Sequence, residues 1–582
     1  MTYPALYRVL LGVSLACCGP AWGAEPGRDS EKAHAAVAGL ASSDPAQREA
    51  AAKALLAMGL EARHAVLDAT RSAEPELRVR ASDLLMKMPW FLPDDSPGVR
   101  GLLADYGKLN VDQRRRTVGE LAALTQHGFT ALRRLIVEEP SDDVKWAIVG
   151  AVRQTFRPNV LEAFRALDAA NVESAPLLAA AGHAWLSEDA ERGAKLLRQS
   201  LALDLEQPAR DGGEVAVTFD RLQNLALLAG DYEQVAQLLR QHAARGETDE
   251  NGDPSRPVLE LFAAHATFGP LAGFDKDLEA YRERLGDPRI MFALGKVYER
   301  AGQPLLATAA YRSAFLVDLV SVQDRFTHGD FLMRHGWLDL AEGQFRTVFD
   351  LTADHSADPG RPEPMTPELD QANAHFRLSQ VAAARDDDAT ASEHMRQAME
   401  FHYKGHGNLR GSSDDAIWQE INWHALRAAK KKGDRAEVNR LVGTFLSATE
   451  ITNPDVANDV VPLLREAGRA AEAKAVYAKV RQTLEDRSAG MADHPMPKNN
   501  IAWLGARTGE AKEEALRLAL EATRAMPDNA AFVDTLAEAQ FQMGHYAEAA
   551  RLEARVVRAR PTDRFLRKQL KRFEDAAAGK KP

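Results

Sequence analysis

Pro527 and Pro561 stand 34 residues apart, and the chain between them reads as two helices joined at a glycine. Leu536, Ala537 and Gln540 share one face of the first helix. Ala549, Leu552 and Val556 share one face of the second, at the three- and four-residue spacing of an amphipathic helix. Gly544 suits the turn because it tolerates positive φ, and proline ends the second helix. The same ruler fits upstream: Gly302, Ala307, Tyr311 and Ala314 map onto Gly336, Ala341, Phe345 and Val348, each shifted by 34. Leu294, Gly295 and Tyr298 supply the large, small and aromatic positions of a close-packed first helix. Ala515 precedes Ala549 by one period, and a looser copy holds Gly468, Ala473, Tyr477 and Val480. Other copies centre on Gly433, on Met395, on Gly230 and on Gly182 with Trp185.

A helix pair of this length cannot bury its apolar face alone, so a fixed period implies stacked neighbours. The pattern, covering roughly residues 170–562, resembles the tetratricopeptide repeat (TPR). The resemblance implies a superhelix of antiparallel helix pairs with a concave groove. Upstream, Asp44-Pro45, Arg48, Ala51 and Leu55 recur as Glu74-Pro75, Arg78, Ala81 and Leu85, a shift of 30. Each acid-proline pair opens an Arg-bearing amphipathic helix, and this part resembles HEAT repeats. Alanine, the best helix former, is abundant, and alternating runs of β-branched residues are nearly missing. The expected fold is therefore all-α: a solenoid of stacked antiparallel helix pairs, HEAT-like over 25–160 and TPR-like over 161–482. A C-terminal repeat pair and capping helix follow over 483–582, with loop insertions at 245–257, 354–368 and 402–412. The capping segment places Phe565, Leu566, Leu570 and Phe573 inward and Arg564, Arg567, Lys568, Lys571 and Arg572 outward, as a solvated face.

The first 24 residues read as a secretory signal. Arg8 is the one charge of the n-region, Val9–Cys18 is the apolar core, and small residues around Ala21 and Ala24 mark the cut. The core is too short to span a bilayer, which takes roughly 20 apolar residues. Export to the periplasm or medium is the expectation. Cys17 and Cys18 are the only cysteines, so the exported chain carries neither a disulfide nor a cysteine zinc site. A lipoprotein reading of Cys18 has Leu15 and Ala16 in its favour and Cys17, at the preceding position, against it. The net charge of −11, from 73 basic and 84 acidic residues, argues against a nucleic-acid binder.

No strong catalytic motif is present. His402 and His406 are four apart, but Gly405 and Gly407 oppose the helix a metal pair needs. Asp249, Asn251, Asp253 and Glu260 imitate a calcium loop, but Pro254 occupies the position that requires glycine. The expectation is a non-enzyme without cofactor or metal. The concave face is then the candidate site. By the resemblance it carries Arg289, Phe292, Lys296, Glu299 and Arg300, then Gln323, Phe326, Asp330, Met333 and Arg334 in the next unit. Asn500, Arg507, Asp534, Glu538 and Phe541 follow near the C-terminus. Cations beside exposed phenylalanines suit an acidic or C-terminal peptide. The implied function is a protein-interaction scaffold of the cell envelope. The alternatives are a metal- or ligand-binding protein or enzyme with its site in the loops, and a lipoprotein of outer-membrane assembly.

Overall fold

The computed structural model describes residues 28–167, 173–207, 213–246, 255–317, 321–353, 366–404, 414–491 and 493–580. Among these there are thirty α-helices and no strand. The chain divides into two units at Ile148/Val149. The first holds α1 (Arg28–Leu40), α2 (Pro45–Met58), α3 (Leu60–Ala69), α4 (Pro75–Leu85), α5 (Pro97–Leu103), α6 (Val111–Ala123) and α7 (Thr125–Glu138). The division falls inside α8 (Asp142–Gln154).

The 30-residue recurrence in the first unit is a physical device. Arg48 Nη1 donates to the Ser42 and Ser43 carbonyls, each at 2.9 Å. Thirty residues on, Arg78 Nη1 donates to the Ser72 and Ala73 carbonyls at 2.8 and 3.1 Å. Each arginine closes the turn before its proline, which sits at the first helical position where a missing N–H costs nothing. Leu55 and Leu85 occupy equivalent, fully buried positions.

The second unit continues with α9 (Pro158–Arg165), α10 (Ala175–Leu186), α11 (Ala190–Leu205), α12 (Gly213–Ala229), α13 (Tyr232–Arg245), α14 (Arg256–Phe268) and α15 (Phe274–Ala280). Then come α16 (Pro288–Arg300), α17 (Pro304–Val317), α18 (Val322–Arg334), α19 (Leu338–Ala353), α20 (Pro367–Ala384), α21 (Asp388–Lys404), α22 (Asp414–Lys432) and α23 (Arg435–Ser447). It ends with α24 (Asp455–Glu466), α25 (Ala470–Arg487), α26 (Pro495–Thr508), α27 (Lys512–Ala525), α28 (Ala530–Gln542), α29 (Tyr546–Ala559) and α30 (Arg564–Ala577). Successive helices pack as pairs: α10 with α11, α16 with α17, α18 with α19, α20 with α21, α26 with α27 and α28 with α29. This is a TPR-like all-α solenoid. The insertions read from sequence are shorter than expected: α14 begins at Arg256, α20 at Pro367, and α21 runs to Lys404.

The 34-residue period is a contact that repeats. A Cβ on Gly295 would lie 2.2 Å from the Tyr311 ring, and a Cβ on Gly329 would lie 2.2 Å from the Phe345 ring. Both positions admit glycine alone, because the ring of the second helix rests on the backbone of the first. The turns repeat as well. Gly302 and Gly336 adopt φ of 70° and 72°. The next residue then bonds back five positions, Gln303 N–H to the Tyr298 carbonyl and Trp337 N–H to the Leu332 carbonyl, both at 2.9 Å. This satisfies the carbonyls that a helix end leaves free. At the α20–α21 turn the same bond runs from Asp387 N–H to Ala382, but Asp386 takes the left-handed conformation at φ 62°. A side chain there costs about 1–2 kcal/mol relative to glycine.

The second unit curls until its last repeat meets its second. Helix α29 packs on α12. Tyr232 donates its hydroxyl proton to the Arg558 carbonyl at 3.1 Å, and Lys568 on α30 pairs with Asp386. A Cβ on Gly336 would lie 2.6 Å from Thr562. The C-terminal helix is therefore not a free solvated cap. Leu566 and Phe573 are buried as expected, but Phe565 is 46% exposed.

Candidate functional site: a cation-rich chamber in the second unit

The residues expected on a concave face do not form one site. Phe292 is fully buried, with its ring edge-on to Phe315 at 5.2 Å, and Phe326 is buried beneath the Arg377 guanidinium at 4.3 Å. Both are core, because i, i+3, i+4 spacing sets them on the packing face of their helices. Arg289 is folded back on Asp287, 2.7 Å away, and Arg300 donates to the Ala266 and Thr267 carbonyls. Lys296 pairs with Glu299 at 2.9 Å, and Asp330 with Arg377 at 2.8 Å. Asn500 is half-buried on α26. Arg507 reaches the buried Glu538 carboxylate at 3.4 Å, which also holds Arg572. Arg334 is exposed. Cys17, Cys18, Asp249, Asn251, Asp253 and His406 lie outside the described residues, and His402 is buried on α21 with Asp414 3.6 Å away.

What the fold does build is a chamber of about 1070 Å³. Its walls are the turns between paired helices, α18–α19 and α20–α21, together with faces of α12, α14 and α16 and the α29–α30 turn. Of the fifteen residues expected on the concave face, Lys296, Met333 and Arg334 line it. Sequence reasoning missed Arg560, Arg564, Phe565 and Arg567, which line the chamber because the solenoid closes. The signal for them was the run of basic residues after Asp563, which reads equally as a solvated cap.

Eight Lys or Arg residues and four Asp or Glu residues line this chamber. Burial alone would push the Glu260 carboxyl upward, but nearby His335, Arg334 and Arg256 outweigh it and hold the group below the ordinary range. The wall is thus charged on both sides, with a cationic excess. Apolar residues intervene: Phe268, Met333, Trp337 and Leu338.

A buried clasp ties α12 to the turn before α28. Arg221 donates to both Asp528 oxygens, from Nε at 3.2 Å and from Nη2 at 2.8 Å. Its Nη1 lies 3.3 Å from His183 Nδ1. Burial, then the Arg221 and Arg153 charges, keep His183 far below its ordinary range, so the neutral ring accepts that hydrogen bond.

The buried Asp277–His265 pair is structural in form. His265 is fully buried with Nε2 2.8 Å from Asp277 Oδ2, and its Nδ1 accepts the Leu271 N–H at 3.1 Å. Neither nitrogen is left to act as a base. Among the described residues no group of three or more His, Cys, Asp or Glu is arranged to hold a metal ion, and no helix is long and apolar enough to cross a membrane.

No protein-family model and no curated protein matches the chain. Among solved structures, the crystal structure of the P58(IPK) TPR domain is similar over 79% of this chain and 98% of its own, at 13% identity and a TM-score of 0.20. A superposition that loose does not carry that protein's properties across. The helix pairing, the glycine–ring contacts and the 34-residue turns of this chain are what make it a TPR-like solenoid.

Proposed function

We propose that this chain is a non-catalytic scaffold or adaptor of the cell envelope that holds a segment of a partner protein in the chamber of its second unit. The observation that carries the reading is the chamber itself. At about 1070 Å³ it exceeds the usual range of small-molecule pockets, about 300–1,000 Å³. It is also assembled from turns of several repeats, so an extended ligand touches many repeats at once. Export rests on the leader-like first 24 residues, and the HEAT-like recurrence in the first unit adds a second stacked surface for assembly.

The test is site-directed photocrosslinking in cells. A benzophenone side chain replaces Gln223 or Phe268 on the chamber wall, or Leu306 on the outer face of α17. Discrete protein adducts from the two chamber positions, and none from Leu306, are expected. Adducts that do not depend on position would overturn the chamber as the partner site. N-terminal sequencing of the cell-envelope form tests export: it should start at Ala24 or Glu25, and an unprocessed Met1 start would remove the envelope assignment.

A further inference from the structure

The chemistry of the partner segment is written in the charges of this chamber, granted that the chamber is the partner site. The chain as a whole is acidic, at −11, yet the chamber wall holds twice as many cations as carboxylates. The carboxylates are already engaged. Asp339 pairs with Arg385, and Asp386 pairs with Lys568. Asp563 accepts the N–H groups of Phe565 and Leu566 at the start of α30, and Glu260 faces His335 at 3.4 Å. Four cations remain. Arg334, Arg560, Arg564 and Arg567 are exposed, and none makes an ion pair with a carboxylate among the described residues, although the Arg334 charge bears on Glu260 from beyond ion-pair distance. Arginine without a partner carboxylate presents a planar fork of donors suited to a bidentate carboxylate.

Two further features bear on the ligand. Phe565 sits between Arg564 and Arg567 with 46% of its surface open, although it belongs to a helix whose Leu566 and Phe573 are buried. Its ring lies edge-on to Trp503 at 6.4 Å with the Arg507 guanidinium 5.9 Å from its centre, and its open part offers apolar area on the chamber wall. Beside it, Asp386 holds Lys568 from a left-handed backbone position where the equivalent turns carry glycine. A strained residue kept at one turn and not at its copies points to a local requirement for that carboxylate.

We infer that the chamber takes an acidic peptide segment of a partner protein. Its carboxylates are held by Arg334, Arg560, Arg564 and Arg567, and one aromatic or aliphatic side chain rests on Phe565. A phosphate polymer fits this wall less well. It needs a continuous cationic track, and here four carboxylates interrupt the cations on a chain whose overall charge repels it.

The inference is tested on the full chain by fluorescence anisotropy with three labelled peptides. One alternates Asp or Glu with Phe and Leu, one replaces every acid by its amide, and one is acidic without apolar residues. The first should bind, and the amide peptide should bind at least tenfold more weakly. An Arg564→Glu/Arg567→Glu double variant should lose the first peptide by a similar factor. Both side chains are exposed and unpaired, so the variant keeps its circular dichroism spectrum. Arg517→Glu, on the exposed face of α27, should leave binding unchanged. Phe565→Ala should weaken the first peptide and leave the purely acidic one unaffected. Equal binding of the amide peptide, or an unaltered double variant, overturns the acidic assignment. So does displacement of the peptide by polyphosphate or single-stranded DNA at lower concentration. Should chamber crosslinks to a partner persist while the acidic peptide fails, only the chemistry assigned here falls. Should the peptide bind while no chamber crosslink forms, the scaffold reading falls instead.

Discussion

Arg221 and Asp528 lie 307 positions apart and meet as a buried, two-pronged ion pair, Nε to Oδ2 at 3.2 Å and Nη2 to Oδ1 at 2.8 Å. Solenoid repeats ordinarily contact only their neighbours, so this pair marks where the array ceases to be linear. It fixes the turn before α28 against α12, and the α29–α30 turn follows it to the chamber wall. Removing one partner leaves a buried charge uncompensated, which costs about 3–5 kcal/mol. Asp528→Ala is therefore expected to loosen the closure without unfolding the linear stack. Hydrogen exchange should accelerate in α12 and in α28–α30, with α16–α19 unchanged. An Arg221→Met/Asp528→Leu pair should restore much of the loss. Unchanged exchange in the single variant would mean that α12–α29 packing alone holds the ring.

Gly302 and Gly336 are the same turn one period apart, with nearly the same φ, in different surroundings. Nothing lies within 4 Å of a Cβ built on Gly302, whereas one on Gly336 meets Thr562 at 2.6 Å. Gly302→Ala should cost about 1–2 kcal/mol, the strain of a left-handed side chain. Gly336→Ala adds a clash with the α29–α30 turn and should also expose α30 to exchange. Equal effects in the two variants would show that the C-terminal turn yields at no cost.

The 30-residue clamp of the first unit has one imperfect copy. Asp44 accepts the Ala46 N–H at 2.9 Å as the cap of α2, while Glu74 makes no side-chain cap bond to α4. Glutamate is one methylene too long for that geometry. Glu74→Asp should stabilise the first unit by about 1 kcal/mol, read as a higher urea midpoint of the transition that protects α4 from exchange. An unmoved midpoint would mean that Arg78 already anchors that turn fully.

How much of this was legible in the sequence follows from which forces are local. The period of 34 registers contacts between adjacent helices, such as Gly329 under Phe345, and those depend on residues close in the chain. The same is true of Arg48 and Arg78. A general repeat template assigns Phe292 and Phe326 to a binding face, but their packing neighbours Phe315 and Arg377 put them in the core. Ring closure could not be read. It depends on the accumulated rotation of many repeats, and Arg221 and Asp528 carry no local mark of each other. The chamber inherits that illegibility, since Arg334 and Arg564 come together only once the ring is closed.

Glu553 makes the C-terminal repeat sensitive to alkali. It is fully buried on α29, facing Asp534 and Glu538 on α28 and Gln569 on α30. Arg507 and Arg572 serve Glu538, and Glu553 makes no ion pair among the described residues. Burial first, then the Asp534 charge, push its carboxyl up to about 9, and burial raises Asp534 as well. Both groups bind protons more tightly in the folded state than in the unfolded one. Their stabilising contribution is therefore complete at pH values below the unfolded carboxylate range and is lost as pH rises through the folded values. Exchange protection of α28–α30 should fall steadily from about pH 5 to about pH 9, while α16–α19 stay flat. Glu553→Gln keeps a neutral donor facing Asp534 and should remove most of that slope. A slope of the same size in the variant would assign the effect to another group. Because α30 carries Arg564 and Arg567, the wild-type chain should also lose affinity for the acidic peptide over the same interval, and Glu553→Gln should retain it.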